Sequence, residues 1–205
     1  DDLSPADRTS LFTGIGRQMA RLHQISDGWT PPDGFTRCDW SRDGLLGEMP
    51  LWGRFWDNPM LSPDDRRLFG EMREAATAHL ARIEANLDHG LIHADLVSAN
   101  ILVDGDRVQM IDFDDGGYGF RQFEIATALL KHREAEDYPA LKAALIEGYT
   151  AIRAIDLAAL DLFMLLRAAT YVGWNISRMA EDRAAERNER FIRTARQLAL
   201  GYLAR

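Results

Sequence analysis

The chain has a single cysteine, Cys38, among its 205 residues. One thiol excludes an internal disulfide framework and fits a reducing, cytoplasmic setting. No apolar run approaches the ~20 residues needed to span a bilayer, and the first residues carry no signal-peptide pattern. A membrane partner is therefore not expected. Basic residues are also in deficit, 24 against 32 acidic ones, for a net charge of −8. Nucleic-acid surfaces need clustered Lys and Arg to displace phosphate counterions, so that class of partner is excluded too. Late in the chain Arg183, Arg187, Arg190, Arg193 and Arg196 alternate with Glu181, Glu186 and Glu189, which reads as a solvated, salt-bridged helix face. Strand-type segments are few, and there is no repeat or low-complexity tract.

What is present is mostly helical. Ser4-Pro5-Ala6-Asp7 combines a cap residue, proline at the first helical position and an acid in the first turn. Leu11, Ile15, Met19 and Leu22 follow at helical spacing, predicting a helix that ends near Ile25 with this face inward. Ser62-Pro63-Asp64-Asp65 repeats the start signal, with Leu68, Met72, Ala75, Ala76, His79, Leu80 and Ile83 inward to about Asn86. Between them, residues 27–61 hold Trp29, Trp40, Trp52 and Trp56 among prolines and glycines. Four tryptophans are costly to leave in water, so this segment is expected to be irregular but ordered. After Gly116, Gly117 and Gly119, helices are predicted over about 121–132, 139–154, 157–180 and 187–203.

The most specific stretch lies between these halves. It reads His93-Ala94-Asp95, then Asn100-Ile101-Leu102-Val103, and then Val108 to Ile111 followed by Asp112. Ile101–Val103 and Val108–Ile111 predict a hairpin around Asp104-Gly105-Asp106. Taken singly each part has an ordinary reading: His-x-Asp is common, Asn100 suits a strand start, and Asp112-Phe113-Asp114-Asp115 suits a solvated turn. In conjunction they form the H-x-D-x-x-x-x-N layout of kinase-type phosphoryl transfer. A short loop aims Asp95 at a reaction centre, and a hairpin returns Asp112 to the side of Asn100. An amide and a carboxylate so placed suit Mg²⁺, which takes few protein ligands besides phosphate oxygens.

The run Gly90-Leu91-Ile92-His93-Ala94-Asp95 through Ile111-Asp112-Phe113-Asp114-Asp115-Gly116-Gly117-Tyr118-Gly119 resembles the aminoglycoside phosphotransferase/choline kinase superfamily, in its bacterial homoserine kinase-like and stress-response kinase-like branch. Met19-Ala20-Arg21-Leu22-His23, Phe123-Glu124-Ile125-Ala126 and Tyr171-Val172-Gly173-Trp174 resemble helices of the same branch, with Glu124 where the family usually has Asp. The resemblance implies ATP as co-substrate and Mg²⁺, Asp95 as catalytic aspartate, and Asn100 and Asp112 as metal ligands. It implies Leu102 and Ile111 beside the adenine, Asp114 and Asp115 at the acceptor side of the site, and His93 as loop support. His23 reads as a packed helix residue. Ala94 stands where protein kinases carry arginine, and only seven residues, Phe113 to Gly119, separate Asp112 from Phe120. A peptide-binding activation segment does not fit there, so the acceptor is expected to be a small molecule. The acids nearby favour an amine or amino alcohol.

The resemblance further implies a mainly α (α+β) fold: residues 1–205 as a protein-kinase-like C-terminal lobe, helical, with a small β-hairpin carrying the site and 27–61 as an irregular insert. A glycine-rich phosphate loop and strand lysine have no counterpart here, since Gly14-Ile15-Gly16-Arg17 lies inside a helical pattern. An N-terminal lobe is accordingly expected to be missing as a partner, and the piece alone to be inactive. Two alternatives stand beside this: a non-catalytic kinase-fold binding or regulatory module, and a metal-dependent phosphohydrolase. For the latter His79, His89 and His132 lack ligand spacing.

Overall fold

In the computed structural model, which describes residues 4–105 and 107–205, Ser4 and Ser62 start helices by the same device. Each hydroxyl accepts an amide hydrogen from three residues on, from Asp7 at 3.2 Å and Asp65 at 3.1 Å, and proline follows each serine. Donors left over in a first helical turn are satisfied this way. In chain order the elements are α1 (Pro5–Asp27), β1 (Asp39–Trp40), α2 (Arg42–Leu46), α3 (Pro63–Ile83), β2 (His89–Ile92), β3 (Ile101–Asp104), β4 (Arg107–Met110), β5 (Gly117–Phe120), α4 (Arg121–Leu130), α5 (Tyr138–Thr150), α6 (Leu160–Trp174) and α7 (Ala184–Leu203). Helix dominates and the strands are short, which is the mainly α, kinase-lobe architecture the sequence implies. The chain divides into two compact units, Asp1–Cys38 with Asp88–Leu157, and Asp39–Leu87 with Ala158–Arg205.

The first unit is built on α1 against α5. Their approach runs through two glycines: a methyl group at Gly16 would overlap the Leu145 carbonyl, and one at Gly148 would overlap the Thr13 carbonyl. The buried face of α1 is Phe12, Ile15, Gly16, Met19, Ala20 and His23. The expected inward residues Leu11 and Leu22 are only half-buried, because the tightest contact follows the small residues rather than the leucines. Two antiparallel pairs complete this unit. β2 pairs with β5, Leu91 opposite Tyr118 and Ile92 opposite Gly117. β3 pairs with β4, Leu102 opposite Gln109 and Val103 opposite Val108. The second pair is the expected hairpin, with Gly105 at φ +57° in its turn; Asp106 of that turn lies outside the described residues. Gly117–Phe120, which the glycine spacing did not reveal as extended, is a strand because β2 offers it a full register of partners.

The second unit centres on α6, whose residues from Leu162 to Gly173 are all buried. Helix α6 is shorter than the expected 157–180: it ends at Trp174, and Arg183 adopts φ +56° before α7. Trp40 is buried with its ring 5.4 Å from that of Trp52. The Arg167 guanidinium lies 4.3 Å from the Trp52 ring and 4.4 Å from that of Tyr171, a geometry in which aromatic faces support a buried cation. Asn58 and Asn188 exchange side-chain hydrogen bonds at 2.9 and 3.0 Å. The irregular stretch thus divides, its tryptophans after Cys38 belonging to this unit. Trp29, in the first unit, is the solvent-facing exception at 42% exposure, edge-on to Phe35.

Candidate active site

Strand β2 leads directly into His93, which is fully buried. Its Nε2 lies 2.8 Å from the Ile111 carbonyl and its Nδ1 lies 3.4 Å from the Asp95 amide nitrogen. The carbonyl can only accept and the amide only donate, so Nε2 carries the proton. The imidazole packs against Phe113, ring centroids 4.4 Å apart and planes tilted by 40°. Ala94 follows at φ +67°, in the left-handed region, with its methyl group buried. That region costs an L-residue with a Cβ roughly 1–2 kcal/mol, so the surroundings must impose it.

Asp95 and Asn100 are tied side chain to side chain. The Asn100 Nδ2 donates to the Asp95 carbonyl at 2.8 Å and to Asp95 Oδ2 at 3.2 Å. Asn100 itself closes a 3-10 turn by donating its amide hydrogen to Val97 at 2.8 Å. The Asn100 carbonyl in turn accepts the Ile111 amide hydrogen at 3.0 Å, one step beyond the β3–β4 ladder. Asp112 is therefore adjacent to Asn100 across the hairpin base, exposed and at φ +64°. Asp tolerates this conformation better than most residues.

With Nδ2 committed to Asp95, the amide's other atom, Oδ1, is available as a hard donor, as is the Asp112 carboxylate. These are the oxygen types Mg²⁺ prefers. Among the described residues no three His, Cys, Asp or Glu side chains converge as a self-sufficient cation site, so a divalent ion there would need further oxygens from a ligand such as a polyphosphate. Leu102 and Ile111, the expected adenine neighbours, are 48% and 39% exposed on the hairpin. Asp114 is exposed and Asp115 half-buried.

The segment after Asp112 is held by Arg37, a residue the sequence reading missed. Its Nε donates to the Gly116 carbonyl at 2.5 Å, and its Nη2 to Phe113 at 2.5 Å and Asp114 at 3.1 Å. No spacing rule flags an arginine inside a Gly/Pro/Trp-rich stretch. Beside it Leu22, Phe35, Leu91, Ile92 and Phe113 line an apolar pocket of about 220 Å³.

Behind the loop lies a buried polar chain. Glu124 Oε2 accepts the Ala94 amide hydrogen at 2.8 Å, and Glu124 Oε1 lies 3.1 Å from His23 Nε2. His23 Nδ1 lies 2.8 Å from the Tyr149 hydroxyl. Burial pushes His23 below its ordinary range, leaving the imidazole neutral near pH 7. Burial opposes the charge on Glu124 as well, but the hydrogen bond from His23 and that from Ala94 outweigh it and hold the carboxyl below its usual value. His23 is a packed helix residue, as its position suggested. A histidine in an apolar stripe needs hydrogen-bond partners, and that signal was available; Tyr149 carried none.

The fold is that of a kinase-like lobe. The chain belongs to the phosphotransferase enzyme family, whose model matches residues 1–163. It is 31% identical over 188 residues to an uncharacterised protein of Deinococcus radiodurans, covering 87% of this chain and 52% of that one. It is 29% identical over 144 residues to a homoserine kinase of Neisseria meningitidis serogroup B, covering 65% of this chain and 46% of that protein. The chain thus spans about half the length of the curated relatives it matches. Among solved structures, a microcompartment-associated aminopropanol kinase superposes with a TM-score of 0.85 at 29% identity, covering 98% of this chain and 63% of the other. An amicoumacin kinase in complex with AMP-PNP and Ca²⁺ shares the fold, with a TM-score of 0.70 at 22% identity over 95% of this chain and 61% of its own. These similar proteins include kinases of small molecules. Among the described residues no helix is long and apolar enough to cross a membrane.

Proposed function

We propose that this chain is the C-terminal catalytic lobe of an ATP- and Mg²⁺-dependent kinase that transfers the γ-phosphoryl group to a hydroxyl of a small amine or amino alcohol. The observation that carries the proposal is the Asp95–Asn100 tie at 2.8 and 3.2 Å. It orients a carboxylate and an amide oxygen from one short loop. In this reading Asp95 accepts the acceptor's hydroxyl proton, an assistance worth about 10²–10⁴-fold. Asn100 Oδ1 and Asp112 would hold the metal ion, which when bound supplies charge neutralisation on the phosphates. Leu102 and Ile111 offer apolar surface to the adenine, and His93 holds the loop through the Ile111 carbonyl. Asp114 and Asp115 stand at the acceptor side, where negative charge favours an ammonium group. The likeness to an aminopropanol kinase and to homoserine kinases supports an acceptor that carries both amine and hydroxyl.

The test uses the longer gene product with Mg²⁺-ATP and a panel of amines, amino alcohols and sugars. Phosphorylation of an amino alcohol that is lost on Asp95→Ala is the expected result. Normal turnover by that variant removes Asp95 from the mechanism. Absence of transfer by the unmodified protein to every acceptor, with nucleotide bound, favours a non-catalytic kinase-fold module instead.

A further inference from the structure

The strained alanine before Asp95 is held by a buried polar chain that the phosphoryl-transfer chemistry does not use. The chain begins at Arg153, which pairs with Asp27 at 2.9 Å and with Asp88, and directs Nη1 toward the Tyr149 hydroxyl at 3.4 Å. Arginine can only donate. The phenol oxygen therefore turns a lone pair toward Arg153, and its own hydrogen points to His23 Nδ1, 2.8 Å away. Receiving that hydrogen, Nδ1 is the unprotonated ring nitrogen. The proton sits on Nε2 and is donated to Glu124 Oε1 at 3.1 Å. Glu124 Oε2 accepts from the Ala94 amide at 2.8 Å. The hydrogens converge on the Glu124 carboxylate, from Arg153 through Tyr149 and His23 on one side and from the Ala94 amide of the loop on the other.

We propose that Tyr149 and His23 are positioning residues for the catalytic loop: the Tyr149 hydroxyl fixes His23 in its Nε2-protonated tautomer, and His23 orients the Glu124 carboxylate that holds the Ala94 amide preceding Asp95. The assignment of a catalytic task to that loop rests on the phosphotransfer reading above. Three observations carry the proposal. His23, Glu124, Ala94 and Tyr149 are all fully buried, so water does not substitute for a missing partner, and an unmatched group there is costly. The opposite tautomer would set the Nε2 lone pair against a carboxylate oxygen. The left-handed Ala94 at φ +67° needs an external hold, and the Glu124 carboxylate is its hydrogen-bond acceptor. The α1–α5 seat at Gly16 and Gly148 fixes where Tyr149 meets His23. Burial also pushes the Tyr149 phenol up to about 12, so it remains a donor at any working pH.

The first readout needs no turnover. Long-range ¹⁵N–¹H correlation on the ¹⁵N-labelled chain is expected to give His23 a protonated Nε2 and a bare Nδ1. Tyr149→Phe keeps the ring and removes the donor. With the Glu124 carboxylate still accepting from Nε2, it is expected to leave Nδ1 bare and unmatched, to shift the Nδ1 nitrogen resonance, and to speed solvent exchange of the Ala94 amide by about tenfold, the equivalent of one hydrogen bond of ordinary net strength. In the longer gene product the same substitution should lower kcat by about tenfold with the nucleotide KM within about twofold. Glu124→Gln is the second variant. Its carboxamide nitrogen would donate to Nε2, and the expected signature is the reversed, Nδ1-protonated tautomer. An unchanged Nδ1 resonance and unchanged Ala94 exchange in Tyr149→Phe overturn the proposal. So does a shifted Nδ1 resonance with unaltered kcat in an active enzyme. If the unmodified longer protein transfers no phosphate while the Nδ1 resonance and the exchange change as described, it is the phosphotransfer reading that fails, and the link from Tyr149 to the loop stands.

Discussion

Glu124 Oε2 accepts the amide hydrogen of Ala94 at 2.8 Å, and Ala94 is the buried residue at φ +67° directly before Asp95. Loop strain and its restraint are thus one contact apart. Replacing Ala94 by glycine sets three terms against one another. Relief of left-handed strain gains roughly 1–2 kcal/mol. Loss of a buried methyl costs about 0.8, and the freer unfolded chain costs about 0.4–1. The sum is near zero, so Ala94→Gly should shift stability by no more than about 1 kcal/mol. Ala94→Val adds β-branching at positive φ in a fully buried site, where overpacking alone costs about 1–3 kcal/mol, and should destabilise far more. Urea midpoints of the two variants, compared with the parent chain, check this.

The helix seat makes a contrast among glycines. Gly148 in α5 faces the Thr13 carbonyl, whereas Gly70 in α3 has no neighbouring atom within 4 Å of an added Cβ. Alanine is the better helix former by about 1 kcal/mol in both settings. Gly70→Ala should therefore raise the melting temperature. Gly148→Ala should lower it, because forcing α1 and α5 apart costs about 1–3 kcal/mol of overpacking, more than the propensity gain. Equal and opposite-to-expected shifts in a thermal melt would remove the close approach as the reason for glycine at 148.

How far the sequence alone reached follows from which contacts are local. Helix starts at Ser4 and Ser62 were legible because a cap, a proline and an acid sit within four residues. The His93–Asp95–Asn100 loop and its hairpin were legible because loop, strand, turn and strand follow in order. What escaped is non-local or conformational. Arg37 reaches carbonyls 76 to 79 positions away, and Tyr149 lies 126 positions from His23. The left-handed Ala94 escaped because alanine is not a residue type that announces positive φ. The rotation of α1 toward Phe12 and Gly16 escaped because hydrophobicity ranks leucine above glycine, while close packing follows size.

Arg37 offers a test of the segment after Asp112. Its fork reaches three carbonyls, at Gly116, Phe113 and Asp114. It is solvent-exposed, so Arg37→Ala should cost little stability, about 1 kcal/mol or less. The loop should nonetheless loosen. In the longer gene product we expect the Mg²⁺ concentration for half-maximal turnover to rise several-fold, about 3- to 10-fold if one hydrogen bond's worth of order at Asp112 is lost. Arg37→Lys should not rescue, since a single ammonium does not reproduce a planar fork. Hydrogen exchange across residues 113–116 that is unchanged in Arg37→Ala would dismiss the clamp.

Stability should fall with acid in two separate windows, and the signs follow from which state binds protons first. Burial depresses His23 below its ordinary 6.5, against the pull of Glu124 and with help from Arg121 and Arg153. As pH falls past 6.5 the unfolded chain takes up a proton that folded His23 resists, so stability declines at up to about 1.4 kcal/mol per pH unit. Half-buried His132 is depressed by burial in the same sense and acts in the same window. Asp65 behaves differently. Its hydrogen bonds from Arg196, at 2.5 and 2.7 Å, hold its carboxyl below its ordinary 3.8. That contribution is full above the unfolded value and is lost as pH falls through the folded one. Urea midpoints at pH 8, 6.5 and 5.5 should therefore drop in the parent chain. The slope should flatten most in His23→Gln, less in His132→Gln, and not at all in Asp65→Asn, whose effect on pH dependence should be confined to below about pH 4. A parent chain equally stable at pH 8 and 5.5 would mean that His23 is not held neutral in the fold.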